Sequence, residues 1–123
     1  PDDSQPVVRD AADIEAETVA AADGLEKAVL IDETDGASHV ALRRFTLEPG
    51  GSVPEHTNAV EHEQYVIAGE YVVGIGDTEY TVGPGDSIHI PAGTVHWYRN
   101  ESDDPGVFIC AVPTGDDTIE LVE

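Results

Sequence analysis

From residue 28 onward, turn residues cut the chain at short intervals, and that punctuation constrains the fold more than any other feature. Asp35-Gly36, Glu48-Pro49-Gly50-Gly51, Ala68-Gly69-Glu70, Gly76-Asp77, Gly83-Pro84-Gly85 and Pro91-Ala92-Gly93 each supply a residue tolerant of positive φ or a proline of fixed φ. Between them lie apolar, β-prone runs at 28–31, 39–47, 64–67, 71–75, 79–82, 87–90, 96–99 and 107–112. Eight such runs predict an all-β domain, the strand count of a jelly roll. Residues 1–27 read differently, being rich in Asp, Ala and Glu with few large apolar groups, and are expected to form an acidic arm or a lead-in strand ahead of a barrel domain over 28–123. Within that arm, Ala11 to Ala22 has the propensity of a short helix, although its apolar side is mostly alanine.

Charge excludes whole classes of partner. The chain carries 26 acidic residues against one lysine and four arginines, a formal net charge of −21, spread along its length rather than gathered in a tail. Such a charge repels itself in dilute buffer and is tolerated where salt screens it, so a halophilic source and a need for molar salt are expected. Phosphate binding requires clustered Lys and Arg, and Arg43-Arg44 is the one adjacent basic pair, so neither nucleic acid nor an anionic membrane is an expected partner. The single cysteine, Cys110, sits in the apolar run Val107 to Val112 and is read as a core residue. With no secretory apolar segment and no run of membrane-spanning length, a cytoplasmic protein is expected.

The chemistry is concentrated in histidines. His56, His62, His89 and His96 fall within 41 residues, beside turns, in a region of barrel strands. Neutral imidazole is the commonest side-chain ligand for Mn, Fe, Ni, Cu and Zn, so a metal site is the first hypothesis. Along extended chain, side chains two apart share a face, which pairs His56 with Asn58 and His62 with Gln64 toward the barrel interior. His56, His62 and His96 are the expected ligands of one divalent transition metal ion, with positions left open. Asn58 and Gln64 are candidates for a fourth ligand or for hydrogen bonding to the ligands; His89 and Tyr98 are candidates for the pocket wall. Glu61 and Glu63 have the opposite parity and are expected to face solvent, although a longer motif spacing would bring Glu63 in as the ligand and base.

The segment from Gly85 through Pro91, Gly93 and His96 to Asn100 matches the second cupin motif, G-x5-P-x-G-x2-H-x3-N, at every defined position. The first motif, G-x5-H-x-H-x3,4-E-x6-G, is matched in altered form by Gly50, His56, Asn58, His62 and Gly69, with Asn58 replacing a histidine and His62 a glutamate. The chain therefore resembles a small single-domain cupin, similar to the subgroup that holds its metal by four histidines but with Asn58 in place of one. That resemblance covers roughly residues 28–113. It implies a double-stranded β-helix, commonly dimeric, with the metal near one mouth of the barrel. The function it implies is a metal-dependent enzyme of oxygenase or oxidase type acting on a small organic molecule. The alternative is a non-enzymatic cupin that binds or senses a metal or small ligand.

Overall fold

The computed structural model describes residues 5–115 and 117–122. Its strands are β1 (Ala16–Thr18), β2 (Asp23–Ile31), β3 (Val40–Asn58), β4 (His62–Ala68), β5 (Tyr71–Ile75), β6 (Thr78–Val82), β7 (Ser87–Ile90), β8 (His96–Arg99), β9 (Gly106–Pro113) and β10 (Ile119–Leu121). Every pairing is antiparallel, in the order β6-β5-β8-β3-β9-β4-β7, with β1 on β2 and both β2 and β10 on β3. Burial alternates residue by residue along β9 and β4, the period of two expected of strands with one face on a core. The sheet curls around that core into a jelly-roll barrel.

Three sequence expectations are corrected. Ala11 to Ala22 is no helix: Ala11–Asp13 makes one 3₁₀ turn capped by Asp10, and Ala16–Thr18 then pairs with Glu26–Ala28. An alanine face has little area to bury, so the edge of β2 offers those backbone groups better partners than an isolated helix would. The first long strand starts at Asp23 rather than 28, because Leu25, at 5% exposure, anchors the stretch opposite Leu47. The expected turn at 48–51 is a bend inside β3, whose first half pairs with β2 and β9 and whose second half pairs with β8. Gly50 takes φ 78°, and a Cβ on Gly51 would lie 2.9 Å from the carbonyl oxygens of Asp23 and Glu48, so glycine lets one strand serve both halves of the barrel.

Below the site, Leu47, Val66, Tyr71, Val73, Phe108 and Cys110 are buried to 2% exposure or less. Burying a side chain such as Leu47 or Val66 fully contributes about 1.5–3 kcal/mol. Phe108 stacks on Phe45 and on Tyr98 with ring centres 5.2 and 5.5 Å apart, which carries the apolar floor up to the polar mouth. The motif residue Asn100 is structural: its amide donates to the carbonyls of Leu47 and Asp104 and its oxygen accepts from Ser102. Trp97, on the outer face of β8, lies over Gly74 and beneath the Arg99 guanidinium. Among the described residues no helix is long and apolar enough to cross a membrane.

Candidate metal centre and pocket

Three strands deliver the inward histidines. His56 lies near the end of β3, directly opposite His96 at the start of β8, and His62 opens β4. All three are buried, as are Asn58 and Gln64, two residues beyond His56 and His62 on the same faces. The ring centres of His56 and His96 are 4.1 Å apart and those of His62 and His96 6.3 Å apart. Two imidazoles sharing an ion at metal–nitrogen distances of about 2.0–2.1 Å have centres no more than about 6.5 Å apart, so both spacings are within reach.

Backbone carbonyls orient two of these rings. His56 Nδ1 is 2.8 Å from the Pro54 oxygen and His96 Nδ1 is 2.9 Å from the Thr94 oxygen, so each Nδ1 donates and each Nε2 presents its lone pair. Burial pushes both imidazoles toward the neutral form, His96 to a pKa of about 4. His62 is held differently. Its Nε2 lies 2.9 Å from Asp117 Oδ2, which also accepts from Arg43 at 3.0 Å, while its Nδ1 lies 3.4 Å from Cys110 Sγ. Burial works against the Asp117 carboxylate, but the bonds from His62 and Arg43 keep its pKa below the ordinary value.

The donor chemistry fits a cation. Buried side-chain acceptors without a hydrogen-bond partner include Asn58 Oδ1, Gln64 Oε1, His96 Nε2 and Asp117 Oδ1, and all four residues line one cavity of about 160 Å³. Orphaned buried acceptors are costly, about 1–3 kcal/mol each, and four around one cavity mark the place where a cation or a hydrogen-bond donor belongs. Gln64 also donates to the Tyr98 hydroxyl at 2.8 Å, which fixes both groups at the cavity wall. Val19, Leu25, Phe45 and Ile119 supply apolar wall.

The structure separates two sets of residues that the sequence had grouped. His56, His62, His96, Asn58, Gln64 and Tyr98 line this cavity, whereas His89 does not. As the third residue of β7, opposite Glu63, it takes the outward parity of the barrel wall and contacts Glu63 in solvent. The pocket role expected of His89 is therefore corrected, and Glu63 stays outside with it. Among the described residues, the group of three His, Cys, Asp or Glu side chains whose ligating atoms all fall within 4.8 Å of one another is Glu61, Glu63 and His89, all exposed. The inward histidines stand wider than that as they are, with His62 turned to Asp117. The residues that sequence reading missed are Asp117, Arg43 and Lys27. Asp117 lies 55 positions from His62 in a tail without motif, and only the pairing of β10 with β3 brings it over the mouth. Arg43 and Lys27 carried a legible signal, their inward parity with Phe45 and Leu25.

A protein-family model described as a cupin domain matches residues 43–112. Among solved structures, the chain is similar to the polyketide cyclase RemF from Streptomyces resistomycificus, with 30% identity, TM-score 0.89, and coverage of 97% of this chain and 87% of that one. It is also similar to a cupin-2 domain protein from Rhodospirillum rubrum, with 24% identity, TM-score 0.80, and coverage of 97% and 81%. A third is the oxalate decarboxylase of Lactobacillus farciminis in its formate complex, with 19% identity, TM-score 0.75, and coverage of 90% of this chain and 34% of that one. No curated protein matches the sequence significantly.

Proposed function

This chain belongs to the cupin-domain family, and from that premise we propose that its pocket binds one divalent transition metal ion and acts with it on a small organic molecule. The observation that carries the reading is the set of four buried, unpartnered acceptors around one cavity. His56, His62 and His96 are the proposed ligands, with the Asn58 oxygen as a fourth, for Mn, Fe, Ni, Cu or Zn. Held by neutral donors, such an ion keeps its full charge and supplies Lewis-acid polarisation of a bound oxygen.

The chain's own groups define the remaining roles. The Pro54 and Thr94 carbonyls keep the Nε2 atoms of His56 and His96 directed inward. His62 would have to give up its bond to Asp117 to hold an ion, and Arg43 would keep Asp117 tethered. Asp117 Oδ1, buried and unpartnered on the cavity wall, is the group that would accept a proton there. Gln64 and Tyr98, bonded to each other, orient a substrate oxygen. Leu25, Phe45 and Val53 keep bulk water out.

Two reaction classes follow from different observations. The three-histidine pattern supports an oxygenase or oxidase, whereas 30% identity to a polyketide cyclase over 97% of the chain supports ring closure of a carbonyl substrate without oxygen. Elemental analysis of untagged protein tests the metal; a stoichiometric transition metal is expected, and none would end the reading. Oxygen uptake in a screen of phenols and diketones favours the oxidase, and ring closure under anaerobic conditions favours the cyclase. Metal and ligand binding without turnover of any kind would leave a binding or sensing module.

Two further expectations carry over as proposals. A homodimer places Tyr65 and Ile67, 53% and 45% exposed on the outer face of β4, in an interface, which sedimentation at several concentrations tests. The net charge of −21 calls for salt, and refolding stability that is indifferent across a KCl series would remove the halophilic reading.

A further inference from the structure

A molecule with 26 acidic residues against five basic ones has few places where cations gather, and the pocket is one of them. Apart from the imidazoles, the charged side chains lining it among the described residues are Lys27, Arg43 and Asp117, two cations against one anion. Lys27 is the single lysine of the chain. It stands opposite Phe45 on the β2–β3 pair while Arg43 is two residues from Phe45 on the same face, so Lys27 and Arg43 are diagonal neighbours. Side chains at diagonal positions start about 7–8 Å apart, within reach of each other's long arms. Arg43 is already engaged by Asp117, whereas Lys27 makes no salt bridge among the described residues. A half-buried ammonium beside a second cation is unfavourable by itself, and burial followed by Arg43 lowers the Lys27 pKa accordingly. An incoming negative charge relieves that repulsion.

We propose that the pocket binds a small organic monoanion, a ring-sized carboxylic acid whose carboxylate lies against Lys27 and Arg43 and whose ring rests on Leu25, Phe45, Val53 and Ile119. Size supports the ring: the cavity of about 160 Å³ is close to the engineered cavity of about 150 Å³ that takes benzene. The inference deepens the reading of this cavity as a small-molecule site and rests on that cavity, but the anion is held by the lysine–arginine pair and not by the ion.

Calorimetric titration with benzoate and with its neutral counterpart benzyl alcohol, in one high-salt buffer, on both metal-loaded and EDTA-stripped protein, tests it. Benzoate is expected to bind roughly tenfold tighter or more in both forms, with Lys27→Met erasing the preference and Lys27→Arg retaining it. Circular dichroism checks that both variants are folded. Equal binding of the two probes, binding of neither, or a benzoate preference that survives in folded Lys27→Met overturns the proposal. A preference that requires the ion and ignores Lys27 also overturns it, while supporting the metal reading. A preference that persists without metal and vanishes with Lys27→Met supports it even if elemental analysis finds no metal.

Discussion

Two clusters of metal-ligating side chains meet strand β4, one on each of its faces, and they differ in composition, burial and spacing. On the outside, Glu61, Glu63 and His89 bring their ligating atoms within 4.8 Å of one another, but all three are exposed. On the inside, His62 joins His56 and His96 in a wider arrangement, yet every member is buried and two are oriented by backbone carbonyls. Proximity is thus a poor guide to a site. In solvent, an acidic triad is hydrated and flexible, and its interactions contribute about 0–1 kcal/mol. Inside the barrel, imidazole donors are desolvated and held, so unpartnered lone pairs such as His96 Nε2 remain available for a ligand.

The sharpest break of this comparison is metal content. His96→Ala or His56→Ala is expected to lower metal affinity by about 100-fold or more, while His89→Ala and Glu63→Gln leave it unchanged, as read by elemental analysis after dialysis. Loss of metal with the outer variants instead would move the site to the outer face.

Acid stability follows in size. In the stripped protein, the pKa of His96 is depressed to about 4, so the unfolded chain binds the proton more readily than the folded one. Stability is then complete above the ordinary imidazole pKa of about 6.5 and falls as pH drops toward 4, by about 3 kcal/mol. Urea unfolding in EDTA across that window measures it, and bound metal is expected to compete with the protons.

A smaller effect belongs to Asp117. Asp117→Asn removes the charge that accepts from Arg43 and His62, both largely buried, and is expected to destabilise the fold by about 1–3 kcal/mol, against less than about 0.5 kcal/mol for Glu63→Gln. Smallest of all is the response of Cys110. Burial pushes its thiol up to about 12, so thiol reagents at mildly alkaline pH are expected to leave the folded protein unmodified and to react fully once it is unfolded.

Much of the strand map was legible. Tyr71–Ile75, Ser87–Ile90 and His96–Arg99 fall where alternation and turn residues predict them, because the first two lie between glycines or prolines and the third between Gly93 and the loop that Asn100 organises. The motif glycines Gly50, Gly69, Gly85 and Gly93 all take positive φ, a constraint written in residue type alone. The inward parity of His56, Asn58, His62 and Gln64 was legible for the same local reason. Within the acidic arm, helix propensity at Ala11 to Ala22 was a false signal, because propensity cannot tell a weak helix from a short strand when a sheet edge is available, and His89 was misplaced because its parity was left unresolved.

The amino-acid sequence by itself determined the all-β class, the turn positions, the cupin motifs and the set of imidazoles that share a face, since each follows from dihedral preference or from a period of two along one strand. Only the tertiary structure decided that Asp117 reaches His62, that Lys27 and Arg43 converge at the pocket, and that the tighter cluster of ligand types lies in solvent. Those contacts join strands and loops far apart in the chain, and their register depends on how the barrel closes, which no local pattern encodes.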